Sequence, residues 1–538
     1  NLAELSLSEI KKRFKKAEAE KEQWRSIYEE AYEFCLPMRN LYDGYYENGV
    51  AGTDKMRRVF DSTAIHSTSR FANRIQSSLF PPQKSWCRLK VGSDIPEERK
   101  IETQQILDAY TDKMFSVMQQ SNFDLAMGEF LLDLCIGTAV MIVQAGSETS
   151  PIRYTAVPSF QITFEEGANG TVDTVYRKFK RAFNVIEKEF PDAKIPKELA
   201  DKYIEDETRK VELLEATYEK DGFIYYCVST MEGDYKLVGR TLKSMPYIIS
   251  RYMVCSGEKM GRGVALYALP DIRTLNKVVE LTLKNASLSI GGVWTAVDDG
   301  VLNPQTISIQ AGSVIGVSSN GGSRGASLQA LPRSGDANMS QILTSDLRTN
   351  IKRMMLDESL TPENMSARSA TEINAKLSEL SQNLGSAFGR LINETMFPIV
   401  RRTLELMDEM GMIELPLKVD GLQVEVNPIC PLAMANNMEK VGEIMQFLQI
   451  SQQLGGVGGS MLKMDAVGDY IADQLGIPSK LRTTPEERKA IMEQTMALAQ
   501  QQAQMQAGQQ PMPEEEGELP SEEGLPAEEY QEPQEEMI

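Results

Sequence analysis

Between residues 263 and 357 the spacing of apolar residues changes period twice, and few folds accommodate such a segment. Leu266, Leu269, Ile272, Leu275, Val278, Val279, Leu283 and Leu288 recur at helical steps, with Pro270 expected to kink the start. Gly291-Gly292 ends that register. Residues 293–331 then alternate in short runs (VWTAV, ISI, SVIGV, SLQAL) among Gly, Ser and Asn, the pattern of short strands. Helical spacing returns near Ala337 with Ile342, Leu343, Leu347, Ile351 and Met355. Two helices enclosing a β-rich insert predict a protruding element. A coiled-coil scaffold has no use for such an insert.

The flanks belong to different classes of structure. Upstream, residues 1–35 read as one helix (Ile10, Phe14, Ala17, Trp24, Tyr28, Ala31, Cys35), with Lys21 the single break in the stripe and Pro37 the stop. Helices are expected at 62–80, 96–120 and 124–136. Strands are expected near 154–157, 171–179, 211–218, 223–228 and 247–254, and Asp221-Gly222 marks a hairpin turn. The first 260 residues therefore read as an α+β domain.

Downstream, a loop (Asp357–Arg368) precedes a capping box, Ser369-x-x-Glu372. The apolar stripe from Ile373 to Leu406 then reads as a helix of about forty residues, on the order of 60 Å long, bent at Pro398. LQVEV (422–426) is one more strand. Helices follow at 434–454 and 465–475, the second closed by Gly476, and a Thr484-Pro485-Glu486-Glu487 start opens a Gln/Met/Ala-rich helix. From Glu514 to Glu536 there are eleven Glu and no Lys or Arg, a composition expected to be disordered.

At 538 residues the chain exceeds a single core and several domains are expected. The 57 basic and 77 acidic residues give −20, which argues against a protein that wraps DNA through a wholly basic surface but allows DNA to slide past. Six scattered cysteines without a CxxC pair fit free thiols in a reducing compartment. The charged helical opening predicts no secretory leader, and the most apolar run, Leu134–Val143, is about half a membrane span and reads as a buried helix entering a strand.

Catalytic patterns are weak. His66 is the only histidine, so multi-histidine metal sites are excluded. Gly321-Gly322-Ser323-Arg324-Gly325 fits GxSxG, but its sequel reads as strand where a nucleophile elbow requires a helix. SGEKMGRG (256–263) lacks the spacing and lysine of a phosphate loop. No enzyme, cofactor or metal is expected.

Taken in order, the elements resemble the portal proteins (head-to-tail connectors) of podovirus-type tailed double-stranded DNA bacteriophages. Local strings carry the likeness: Phe34-Cys35-Leu36-Pro37, LFPPQKSWCRL (79–89), MGRGVALYALPDIRTLNKVVELTLK (260–284), SARSATEINAKLSELSQNLG (366–385) and IADQLGIPSKLRTTPEER (471–488). The likeness extends to about residue 508; the ordered series is specific, no single string is.

The resemblance implies a multidomain α+β portal fold. Its parts would be a wing (1–262 with 370–432), stem helices (263–290 and 336–357), a β-rich clip (291–335), a channel loop (358–369), a helical crown (433–510) and an acidic disordered tail (511–538). It further implies a homododecameric ring at one capsid vertex of the virion, assembled in the host cytoplasm. The ring would conduct double-stranded DNA without sequence specificity during genome packaging and ejection. Its other partners would be the terminase motor, a tail adaptor, and capsid and scaffold proteins, with no membrane involved. The competing reading is a structural or scaffold protein that oligomerises through long helices and never touches DNA.

The proposed stem is net basic within an acidic chain. Arg273, Lys277, Lys284, Arg348, Lys352 and Arg353 stand against Asp271, Glu280 and Asp346, and Arg368 closes the channel loop. Repeated around a ring, such cations form belts that hold phosphates weakly. They are the candidate channel residues. The alternative for each is to face outward or to pair with a neighbouring subunit.

Overall fold

The computed structural model describes residues 4–39, 55–291, 294–296, 328–330, 337–357, 370–414, 423–453 and 463–507. It forms two compact units, 1–479 and 480–538.

The first helix divides. α1 (Leu7–Glu22) starts on a capping box in which Glu9 N–H donates to Ser6 Oγ (3.3 Å) and Ser6 N–H to the Glu9 carboxylate (3.0 Å). α2 (Arg25–Cys35) begins after a break at Gln23-Trp24, so the expectation of one helix to residue 35 is corrected. The reason is that the stripe serves two cores. Ile10, Phe14 and Ala17 pack with Tyr176, Leu214, Ala216 and Tyr218, whereas Tyr28, Ala31, Tyr32 and Cys35 enter the main core. Lys21 marks the handover.

The main core is built by α3 (Thr63–Leu79), β1 (Cys87–Val91), α4 (Glu97–Gln120), α5 (Phe123–Ile136), β2 (Thr138–Ala145) and β3 (Ile152–Val157), together with helices from further along the chain. The run 134–143 is, as expected, a buried helix end passing into a strand. LFPPQKSWCRL supplies an aromatic knot: Trp86 meets Phe80 (5.1 Å between centroids) and Phe115 (5.2 Å) edge-on.

A second layer follows: β4 (Ile162–Glu166), β5 (Val172–Ala182), α6 (Phe183–Glu189), α7 (Lys197–Tyr203), β6 (Lys210–Lys220), β7 (Phe223–Thr230) and β8 (Lys236–Leu242). These five strands form an antiparallel meander in chain order. α1 covers one face of it, and the other packs on α6 and α7. The expected hairpin turn is present. Asp221 (φ 52°) and Gly222 (φ 77°) both take the left-handed conformation that a two-residue turn of this twist requires. β9 (Tyr247–Arg251) joins β2 and β3 in a separate three-stranded sheet.

SGEKMGRG is a structural crossing and not a phosphate cradle. Gly261 N–H donates to Thr138 Oγ1 (2.9 Å), Gly263 N–H to the Ile136 carbonyl (2.9 Å), and Tyr28 Oη–H to the Gly261 carbonyl. A Cβ on Gly261 would stand 2.2 Å from the Gly137 carbonyl oxygen, a backbone atom that cannot swing aside. Gly261→Ala is therefore expected to destabilise unit 1 by about 3 kcal/mol, read as a lower midpoint in urea unfolding. An unchanged midpoint would mean the two backbones part easily.

α8 (Val264–Gly291) runs through Pro270 without interruption. Short strands β10 (Trp294–Ala296) and β11 (Leu328–Ala330) pair antiparallel at the base of the insert. They account for VWTAV and SLQAL, while ISI, SVIGV and the GxSxG string fall outside the described residues. α9 (Ala337–Met354) returns beside α8. The channel loop and Ser369 also fall outside the described residues.

The forty-residue helix is corrected as well. It comprises α10 (Ala370–Leu384), α11 (Ser386–Leu391), one π-helical turn (Ile392–Met396) and α12 (Phe397–Glu409). The break is at Gly385 (φ 51°), not at Pro398. The wider π turn directly before Pro398 absorbs the hydrogen bond that proline cannot donate, so the chain continues as helix.

β12 (Val424–Pro428) pairs antiparallel with β1, Leu89 opposite Val426. α13 (Pro431–Gln453) and α14 (Met464–Gln474) complete unit 1. α14 ends as expected at Gly476, with Gly476 N–H to the Asp473 carbonyl (3.1 Å) and Ile477 N–H to the Ala472 carbonyl (3.0 Å). In unit 2, α15 (Pro485–Ala507) opens on the expected box, Glu487 N–H to Thr484 Oγ1 at 3.3 Å and Thr484 N–H to the Glu487 carboxylate at 2.8 Å. The acidic tail falls outside the described residues.

Among the described residues no helix is long and apolar enough to cross a membrane. All six cysteines are free and five are buried.

Candidate functional site

α8 and α9 form a two-helix projection whose halves differ. Near the body, Val264, Ala265, Ala268, Leu269, Ile272 and Leu275 of α8, with Leu347 and Ile351 of α9, are part of the main core. Further out, Leu281 (53% exposed), Leu288 (59%), Met339 (64%) and Ile342 (60%) lie open to solvent. Thr282 Oγ1 and Ser340 Oγ, 2.6 Å apart, tie the two helices there.

Arg273, Lys277, Glu280 and Lys284 are spaced by four, three and four residues and share one face of α8, turned away from α9. Arg273 donates twice to Glu30 of α2 (2.6 and 2.7 Å). Lys277 and Lys284 both bond Glu280 (3.0 and 2.6 Å), and those bonds hold the Glu280 carboxyl below its usual range. On α9, Arg348 donates through Nε (3.0 Å) and Nη2 (2.6 Å) to Asp61. Burial pushes the Asp61 carboxyl up, but hydrogen bonds from Thr63 and Arg348 outweigh it and leave it lowered.

Four of the candidate channel cations are thus engaged within their own subunit. Lys352 and Arg353 lie exposed on the last turn of α9, and Arg368 falls outside the described residues. Pairing was anticipated for these cations, but between subunits. Intramolecular partners replace that expectation, because Glu30 and Asp61 come from segments that the fold lays along the helix pair.

The sequence gave no warning of a strap at residues 58–61. Asn276 of α8 donates to the Arg58 carbonyl (2.9 Å) and accepts from Phe60 N–H (2.7 Å). One residue further, Asp61 holds Arg348 of α9 and also accepts from Thr63 N–H (2.9 Å) at the start of α3. The other contact made at long range is at the end of α9. There Leu356 takes a left-handed φ of 58°, Arg74 donates to its carbonyl (2.6 Å), and the Asp357 carboxylate accepts from Ser67 (2.8 Å) and Arg70 (3.4 Å). The available signal was the spacing His66, Arg70, Arg74, one helical turn apart on the polar side of α3.

The helix pair, its strand-bearing insert and its roots in an α+β body agree with a family-model match. The model for bacteriophage head to tail connecting proteins fits residues 7–482. The chain belongs to the bacteriophage head-to-tail connecting protein family. It is 23% identical over 496 residues to the probable portal protein of Bordetella phage BPP-1, covering 86% of each chain. To the portal protein of Enterobacteria phage T3 it is 20% identical over 453 residues, 80% of this chain and 81% of the relative.

Among solved structures, a chain in the neck of the empty gene transfer agent particle (C6 symmetry) is 13% identical, covering 80% of this chain and 97% of that one, at a TM-score of 0.32. A chain in the neck of the native particle (C12 symmetry) is 12% identical, covering 72% and 87%, at a TM-score of 0.30. These overlays are loose. The connector is a portal protein, a structural component of the virion at the junction of head and tail.

Proposed function

We infer that twelve copies of this connector close into a ring at one capsid vertex. The ring is the conduit for double-stranded DNA in packaging and ejection and the platform on which the terminase motor and then the tail adaptor dock, with capsid and scaffold proteins around it. α8 and α9 are its stem, residues 291–335 its clip, 358–369 its channel loop and 433–510 its crown, and assembly takes place in the host cytoplasm.

The observation that carries the ring is the exposed apolar outer half of the stem. Leu281, Leu288, Met339 and Ile342 are uncovered in the single chain, and a surface of that kind on a soluble protein marks a contact with another molecule. The α8 flank and the α9 flank differ, so a second copy meets one with the other. Such head-to-tail contacts close a ring when the rotation allows. The stem cations, repeated by that rotation, and Arg368 in the channel loop then border the passage. Their intramolecular partners leave only a modest positive surplus, suited to a duplex that must slide.

Electron microscopy of the purified chain tests the reading. Rings of twelve subunits with a central hole are expected; rods, shells or an obstinate monomer would overturn it.

A further inference from the structure

We propose that the polar side of α3 and the last turn of α9 together form a phosphate-binding surface at the foot of the stem, with duplex DNA as its partner. The inference rests on the conduit reading and extends it to residues outside the stem and channel loop.

Three observations carry it. First, His66 and Arg70 are exposed on α3, and Arg74, the next turn on, is half-buried beside them. At steps of four these three share one side of the helix. Second, the fold brings that side to the end of α9. Arg74 donates to the Leu356 carbonyl (2.6 Å) and Arg70 reaches the Asp357 carboxylate (3.4 Å). Leu356 N–H and Asp357 N–H return in turn to the carbonyls of Arg353 (3.2 Å) and Lys352 (2.8 Å). Third, the charge does not balance. Arg70, Arg74, Lys352 and Arg353 face this junction with Asp357 as the acidic group contributed by these two segments. Asp357 is itself buried and already accepts from Ser67.

Guanidinium groups suit phosphate oxygens by their planar forked donors, and they keep their charge at any relevant pH. The positive φ of Leu356, costly for a branched side chain, turns the chain so that its carbonyl points at Arg74. Arg74 is therefore oriented by the backbone while Arg70 projects further out. The surface reads backbone charge alone and carries no means of telling one base sequence from another.

The test uses assembled rings of the full chain and a short fluorescent duplex of mixed sequence, with affinity measured by anisotropy across a salt series. Arg70→Gln/Arg74→Gln is expected to weaken binding about tenfold at low salt and to flatten the salt dependence, since each phosphate contact contributes a slope near 0.9. Lys352→Gln/Arg353→Gln should act in the same direction. Arg70→Lys/Arg74→Lys, which keeps the charge, should stay within about twofold. Arg181→Gln, on the five-stranded sheet, should change nothing.

Unchanged affinity in the Arg70/Arg74 glutamine variant would overturn the surface and leave the conduit standing, because ring and hole are seen independently by microscopy. Wild-type rings that show no salt-dependent duplex binding would overturn it equally. A polyglutamate peptide that loses binding in these variants while the duplex does not would identify an acidic protein as the partner and overturn DNA. A lowered melting point with full DNA affinity would reduce the cluster to a latch for Asp357.

Discussion

A chain carrying Leu281→Glu and Leu288→Glu should fold normally and fail to form rings. The two residues lie seven apart on α8, two helical turns along one flank, and both are more than half exposed in the single chain. Exposed substitutions of this sort alter stability of the subunit by about 0.5 kcal/mol or less. In an assembled ring the same flank is closed against α9 of a neighbour, and each added carboxylate would be buried there without a partner. The penalty is on the order of several kcal/mol per charge, repeated at every seam. Sedimentation should show monomer where the unaltered chain gives rings, with superimposable thermal unfolding of the monomers. Intact rings from the double variant would move the subunit contact away from this flank.

The second large effect is expected at Arg251. Its side chain is 1% exposed and bonds three separate parts of the fold: Glu166 at the end of β4, the Lys259 carbonyl (3.1 Å) in the glycine crossing, and Glu394 (2.9 Å) in the π turn. Hydrogen bonds and attraction from Glu394 and Glu166 outweigh the burial that disfavours its charge, and its pKa is raised. Arg251→Met leaves two carboxylates facing a space of low polarity. The expected loss is about 3–5 kcal/mol, read from urea unfolding of the monomer. Adding Glu394→Gln should restore part of it, since one stranded charge is then removed. If Arg251→Met costs less than about 1 kcal/mol, water reaches the site and the triad is peripheral.

Local chemistry was legible in the sequence where it is local in fact. The Asp221-Gly222 turn, Gly476 and the Thr484 box each need only residues within a few positions, and each appears as expected. The division of α1 from α2 was invisible because Lys21 interrupts the stripe without revealing that its halves belong to different cores. β1 escaped notice because its partner, β12, lies more than three hundred residues away. The break at Gly385 was overlooked because a continuous apolar stripe runs across it.

The channel candidates illustrate the same limit. Charge and periodicity located Arg273, Lys277 and Arg348 on helices, but could not tell that Glu30 and Asp61 would be laid against them. Arg70 and Arg74 sat in plain view on an amphipathic helix, yet their meaning depends on where residue 357 arrives.

The strap at 58–61 makes the stem a lever with a fixed fulcrum. Asn276 grips its backbone from α8, and Arg348 grips Asp61 from α9, while the other oxygen of Asp61 holds the first turn of α3. α9 cannot tilt by even one side-chain length without dragging Asp61 off Thr63 and fraying α3 at its start. Pressure from a packed genome, applied at the stem, is therefore delivered to α3, and through Arg74 and Ser67 it returns to residues 356 and 357 at the other end of α9. The load travels in a closed loop within one subunit, so each subunit can stiffen under strain before its neighbours feel it.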